Sequence, residues 1–256
     1  MKRLLIFIIN HCVSISFRRK LFKLLSSSVL RNKSIGHFEP SIIYSKEDIN
    51  TTPGLIELIA DATKIASKIS LDCGKKNLAD SKFLNIFPGE HYRLLNALVK
   101  TSKSKKIVEI GTYTGMGSLA LKTGLPNVTV TTFDIIPWDK LGIPSHFDVS
   151  DFDETLHQIV GDLSEDEVFR KYMDVLNEAD IIFMDAPKDD KFEYKMAEKF
   201  IKLNKKEFKL LILDDIQFVN MIDFWRKIKS PKLDITSFGH FSGTGIVDIS
   251  NGFNWG

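Results

Sequence analysis

From residue 105 onward the chain alternates short apolar runs with amphipathic stretches. Apolar and β-branched runs at 105–111, 128–134, 156–161, 180–185 and 208–214 predict strands. Helical spacing of apolar positions between them predicts helices at 116–123, 165–178, 190–203 and 217–229. This order is that of an α/β, doubly wound, mostly parallel sheet. Two final segments, Leu233 to Gly239 and Gly243 to Ser250, read as a closing antiparallel hairpin and bring the expected sheet to seven strands. Ser164, followed by Glu165 and Asp166, reads as a helix start with acids in its first turn. The connection 135–155 carries Pro137, Trp138 and Pro144 and is expected to be irregular, with a short helix near 151–157.

Ahead of the sheet, Leu55, Ile56, Leu58, Ile59, Ala62, Ile65, Ala66 and Ile69 repeat at helical spacing. They predict a helix over 55–70, expected to lie across the mouth of the site. A second helix is predicted at 88–101 with Leu94, Leu95, Leu98 and Val99 inward. Residues 1–50 read as an arm and linker, and 51–256 as one domain, with a helical cap at 51–101 and a sheet core at 105–250. The length of 256 residues, 43% hydrophobic and 27% charged, suits one large α/β domain.

Charge changes the picture at the N-terminus. Residues 1–36 hold eight basic side chains and no acid, so a chain of net charge +2 has a mildly acidic body behind a basic arm. That excludes a nucleic-acid enzyme with a basic cleft in its catalytic domain. The run Leu4 to Ile9 is far shorter than the ~20 apolar residues that span a bilayer. Beyond it, Phe17, Leu21, Leu24 and Leu25 with Arg18, Arg19, Lys20 and Lys23 form a basic amphipathic pattern. It would suit a helix packed on the domain or laid on an anionic membrane surface. Cys12 and Cys73 show no metal spacing or disulfide framework and read as reduced thiols, which points to the cytoplasm.

The candidate chemistry gathers at residues 106–134. A strand carrying Glu109 stops at Gly111, a turn with Gly115 and Gly117 opens the helix at 116–123, whose Ser118 is taken with the turn as a cofactor-binding residue, and the next strand ends on Asp134. That layout suits a nucleoside-bearing cofactor on a parallel sheet. The glycine spacing is also that of short-chain dehydrogenases, but none of the five tyrosines has a lysine four residues on. Glu109, two residues before the first glycine, would repel a pyrophosphate and attract an ammonium. S-adenosylmethionine offers an ammonium, a carboxylate and a ribose, and no phosphate. Glu109 for the ammonium, the turn N–H groups for the carboxylate and Asp134 for the ribose match it, with Thr112 and Tyr113 lining the turn.

With these residues the chain resembles class I S-adenosylmethionine-dependent methyltransferases, and among them the metal-dependent O-methyltransferases of the catechol and caffeoyl-CoA type. The resemblance runs over roughly 85–250, through Phe87-Pro-Gly-Glu-His-Tyr-Arg, Val108-Glu-Ile-Gly-Thr-Tyr-Thr-Gly, Ile181-Ile-Phe-Met-Asp185-Ala-Pro-Lys188 and Leu210-Leu-Ile-Leu-Asp214-Asp215. It implies a Rossmann-like methyltransferase fold, an adenine contact at Asp162, a cofactor contact at Asp185, and Lys188 as the proton acceptor. It also implies Mg²⁺ or another divalent cation on Asp185, Asp214 and Asp215, although relatives carry Asp-Asn where this chain has Asp214-Asp215. Acids at five strand ends would repel one another unless something positive joins them. Relatives are often homodimers. The expectation is cation-assisted O-methylation of a small hydroxylated acceptor. The alternatives are metal-free methylation of nitrogen or of a sugar or carboxyl oxygen, and a catalytically inactive cofactor-binding protein at a membrane. His240, in Gly-His-Phe-Ser-Gly, reads as structural, with acceptor-side chemistry as the lesser reading.

Overall fold

The computed structural model describes residues 51–189 and 191–256. The basic arm, its suggested membrane contact and Cys12 lie outside the described residues. Among the described residues, no helix is long and apolar enough to cross a membrane.

Two helices precede the sheet, α1 (Pro53–Ala66) and α2 (Tyr92–Ser102). Then follow β1 (Lys106–Ile110), α3 (Met116–Lys122), β2 (Thr129–Asp134), β3 (Leu156–Val160), α4 (Asp166–Glu178) and β4 (Ile181–Met184). The chain ends with α5 (Lys191–Phe200), β5 (Leu210–Asp214), α6 (Val219–Lys227), β6 (Lys232–Asp234) and β7 (Thr244–Asp248). The seven strands form one sheet in the order β3-β2-β1-β4-β5-β7-β6. β1 to β5 are parallel, and β7 runs antiparallel to both β5 and β6. This is the doubly wound sheet with a closing hairpin that the hydrophobic pattern predicts.

Period-2 geometry sends alternate side chains of the central strands to opposite faces. Val108, Ile110, Ile182, Met184, Leu211 and Leu213 pack under α4, α5 and α6 with Phe169, Phe200 and Phe224. Ile107, Ile181, Phe183, Leu210 and Ile212 pack on the other face with Leu94, Leu98, Leu119 and Leu55. β4 and β5 are buried along their whole length, which is why they read as unbroken apolar runs.

Four local expectations are corrected. α1 buries Leu55, Ile59, Ala62 and Ala66 against α2, not over the site. An amphipathic stripe shows which face is buried and not what covers it. α2 begins at Tyr92 instead of residue 88, because Gly89 is engaged elsewhere: its N–H donates to the Gly239 carbonyl and its carbonyl accepts from the Phe241 N–H. The short helix near 151–157 is a single 3₁₀ turn at Val149–Asp151, and β3 takes the residues after it. Ser164 does not cap α4. Its N–H is held by the Asp162 carboxylate, Glu165 takes the cap position, and Asp166 and Glu167 supply the acids of the first turn.

Candidate active site

The C-terminal ends of the parallel strands open onto a cleft of about 690 Å³, the usual ligand position on such a sheet. Gly111, Tyr113, Asp134, Asp162, Asp185, Asp214 and Asp215 line it. Ile135, Ile136, Leu141 and Ile143 give it an apolar wall.

The glycine turn is fixed by backbone crowding. Gly111, at φ +103°, donates its N–H to the Phe133 carbonyl, while the adjoining Ile110 carbonyl accepts from the Asp185 N–H. A Cβ at Gly111 would lie 2.0 Å from the Asp185 carbonyl oxygen. Asp134 closes the turn from the other side. Its Oδ2 accepts the N–H groups of Thr112 and Tyr113 at 2.9 and 3.1 Å, and its Oδ1 accepts that of Ile136 at 3.1 Å. The carboxylate assigned to a ribose therefore also shapes the turn that would hold the rest of the cofactor.

Glu109 is buried in a small recess beneath the turn, shared with Thr112, Gly115, Gly117, His91 and Asp185. Its Oε2 accepts hydrogen bonds from Ser118 Oγ and Thr132 Oγ1, and Thr132 is bonded in turn to Thr112. Ser118 is itself fully buried and holds Glu109 from below, outside the cleft. A Cβ at Gly117 would come within 2.2 Å of the Glu109 carboxylate, so the third glycine makes room for the acid. Burial pushes the Glu109 carboxyl up to about 8, against the pull of the two hydroxyl donors. A raised folded-state value means that the stability from this group is complete below the ordinary glutamate range and is lost as pH rises towards 8. The Glu109→Gln chain should lack that slope, on the order of 4 kcal/mol across the window. Urea midpoints measured between about pH 5 and 8 check it, and parallel profiles for the two chains would refute it.

At the far end of the cleft the acids meet cations of the chain itself. Lys188, left-handed at φ +57°, reaches back so that its ammonium contacts Asp185, lies 2.9 Å from Asp215 and 3.9 Å from Asp214 Oδ2. Its loop is pinned by the Lys188 N–H donating to Glu193 and by Asn220 donating to the Lys188 carbonyl. Asp189 is turned away and caps α5 through the N–H groups of Lys191 and Phe192. Asp215 and Tyr113 are also left-handed, so three of the five non-glycine residues in that conformation among those described sit at this site.

Two histidines complete the cluster. His240 Nδ1 lies 3.1 and 3.2 Å from the two oxygens of Asp214, and its Nε2 is 3.8 Å from Glu90. His91 Nδ1 lies 3.2 Å from Asp214 Oδ1. The parallel bridge between Gly89 and His240 brings both rings to one carboxylate. No local motif singles out Glu90 and His91 as site residues. The available signal was that His91 shares the helical stripe of Leu94, Leu95 and Leu98, which places a titratable ring on a buried face.

The electrostatics follow from burial and pairing. Burial raises the Asp185 carboxyl, and Asp214 adds to the rise. Asp214 is driven well below the usual carboxylate range because His91 and His240 outweigh its burial. Burial alone would lower Lys188, yet Asp185 and Asp214 raise it, and His240 is likewise raised to about 10 by Asp214 and Asp215. In the structure Lys188 is therefore an ammonium, and a role as base requires it to leave the carboxylates.

A family model described as O-methyltransferase matches residues 75–222. No curated protein sequence matches the chain. Solved structures with a similar fold include the O-methyltransferase from Bacillus cereus in complex with SAH, at 14% identity and TM-score 0.43, covering 87% of this chain and 97% of that one. Another is the SAH-bound methyltransferase PaMTH1 from Podospora anserina, at 14% identity and TM-score 0.41, covering 95% and 99%. A third is the O-methyltransferase TomG from Streptomyces achromogenes, in complex with SAM, at 13% identity and TM-score 0.41, covering 87% and 96%.

Proposed function

The chain belongs to the O-methyltransferase family, and from that premise we propose that it transfers the methyl group of S-adenosylmethionine to a hydroxyl of a small acceptor with the help of a divalent cation. The observation that carries this reading is the sharing of one cleft by the glycine turn, Asp134 and the Asp185, Asp214, Asp215 and Lys188 cluster. S-adenosylmethionine supplies a methyl on a sulfonium, a strong donor that needs only an aligned nucleophile.

The side chains divide the work. Glu109, which burial holds protonated, gives up its proton to solvent as the cofactor's ammonium arrives above it, and the ion pair that forms beneath the turn is strengthened by the low polarity there. Asp134 holds the ribose and Asp162 the adenine edge. Gly111, Thr112, Tyr113, Gly115 and Gly117 shape the surface between them. Asp185, Asp214 and Asp215 are the oxygen donors for the cation, their ligand atoms lying within 4.8 Å of one another. A cation bound there would lower the pKa of an acceptor hydroxyl. On leaving Asp185 and Asp215, Lys188 releases its own proton to solvent, and the neutral amine then takes the hydroxyl proton. Those same contacts hold its proton, so their loss lowers its pKa and frees the amine lone pair. The apolar wall of Ile135, Ile136, Leu141 and Ile143 suits an acceptor with an unsaturated or aromatic body.

The test is methyl transfer from S-adenosylmethionine to a panel of diols and phenols, followed by mass spectrometry with and without a chelator. Product that disappears on chelation and returns with added cation is expected. The seating of Lys188 among the carboxylates favours a second reading, metal-free transfer to nitrogen or to a sugar or carboxyl oxygen. Activity that withstands the chelator would select it.

A further inference from the structure

We propose that His91, Asp214 and His240 form a mixed imidazole–carboxylate centre for a divalent transition-metal ion, in place of an all-oxygen seat for Mg²⁺. This deepens the cation-assisted reading above and rests on its assignment of a cation to this end of the cleft.

Three observations carry it. The first is geometry. The Nδ1 atoms of His91 and His240 lie 3.2 and 3.1 Å from the same oxygen, Asp214 Oδ1. Donors held about 2.0–2.1 Å from one ion stand roughly 3.0–3.4 Å apart, a spacing these contacts match, and the ligand atoms of His91, Asp214 and His240 all lie within 4.8 Å of one another. The second is an unmet need. His91 is only 3% exposed, and neither of its ring nitrogens makes a well-formed hydrogen bond among the described residues. It stands at the cap position of α2 without capping the helix. The ion pair with Asp214 leaves both ring nitrogens of this buried imidazole without a well-aligned hydrogen bond, which is costly, and a metal ion on Nδ1 would supply the missing bond. The third is occupancy of the competing set. The Lys188 ammonium already lies between Asp185 and Asp215 and 3.9 Å from Asp214 Oδ2, whereas Asp214 Oδ1 faces both histidines; the contacts of His240 Nδ1 with Ser242 Oγ at 2.8 Å and Asp215 Oδ1 at 3.2 Å are ones a bound ion would replace. Glu90, 3.8 Å from His240 Nε2, is placed to orient that ring from behind, as carboxylates commonly do for metal-bound histidine.

Imidazole nitrogen discriminates strongly among ions. Mg²⁺ prefers oxygen and keeps its waters, whereas Zn²⁺, Co²⁺, Ni²⁺ and Fe²⁺ accept nitrogen readily. The experiment is titration of the metal-stripped full chain with cobalt chloride, followed by visible and X-ray absorption. One Co²⁺ per chain with imidazole scattering is expected, resisting about a hundredfold excess of Mg²⁺. His91→Ala and His240→Ala should each weaken Co²⁺ binding by at least about tenfold while a cooperative thermal melt persists as proof of folding. Should His91→Ala fail to fold, His91→Gln and the absorption spectrum of the unsubstituted chain decide. An oxygen-only spectrum, or displacement of Co²⁺ by equal Mg²⁺, overturns this proposal and leaves the all-oxygen reading standing. A chain that binds neither ion overturns both, and adenosylhomocysteine binding would then still report on the cofactor assignment by itself.

Discussion

Replacing Gly111 by alanine is expected to destabilise the domain by about 3–5 kcal/mol and to abolish cofactor binding. Two penalties add at this position. The backbone at φ +103° is one that residues with a Cβ rarely adopt. The new methyl would lie 2.0 Å from the Asp185 carbonyl oxygen, a main-chain atom just past β4 that cannot rotate aside as a flexible side chain could. Relief requires β1 and β4 to part at their C-terminal ends, where the Asp185 N–H bonds the Ile110 carbonyl. Binding and stability are thus linked at one atom. Chemical denaturation with adenosylhomocysteine titration measures both, and a Gly111→Ala chain that binds normally would show that the turn is not the cofactor's cradle.

Asp214→Asn is expected to lower kcat by about a thousandfold while changing adenosylhomocysteine affinity little. Asp214 is the hub of the far end of the cleft: it touches His91 and His240 and faces Lys188. An amide keeps the shape and removes the charge. The two rings and the lysine would then face one another with less negative charge between them, and a cation would lose its central donor. The glycine turn and Asp134 lie elsewhere along the cleft and should keep their geometry. Steady-state kinetics beside calorimetry separates the two effects. A kcat within about tenfold of the unsubstituted chain would remove Asp214 from the chemistry.

Why some of this was readable from sequence and some was not has physical reasons. The central strands could be placed to within a residue or two because β1, β4 and β5 are buried on both faces, and nothing else makes such short apolar runs between helices. The placing of Glu109, Gly111 and Asp134 around one turn was legible because it follows from local spacing along one βαβ unit. The His91–Asp214–His240 cluster was not. It depends on the bridge between Gly89 and His240, a pairing between segments far apart in sequence that no local pattern encodes. The same holds for Lys188, whose spacing from Asp185 was visible but whose contact with Asp215 needed the fold. Expecting α1 over the site failed for a related reason, since amphipathicity gives a face and not a partner.

Calorimetric titration of the chain with adenosylhomocysteine and, separately, with NADH tests most directly what Glu109 is for. Tight one-to-one binding of adenosylhomocysteine, indifference to NADH, and loss of the signal in Glu109→Gln are predicted. Retention of NADH with no heat from adenosylhomocysteine would contradict the account at its root.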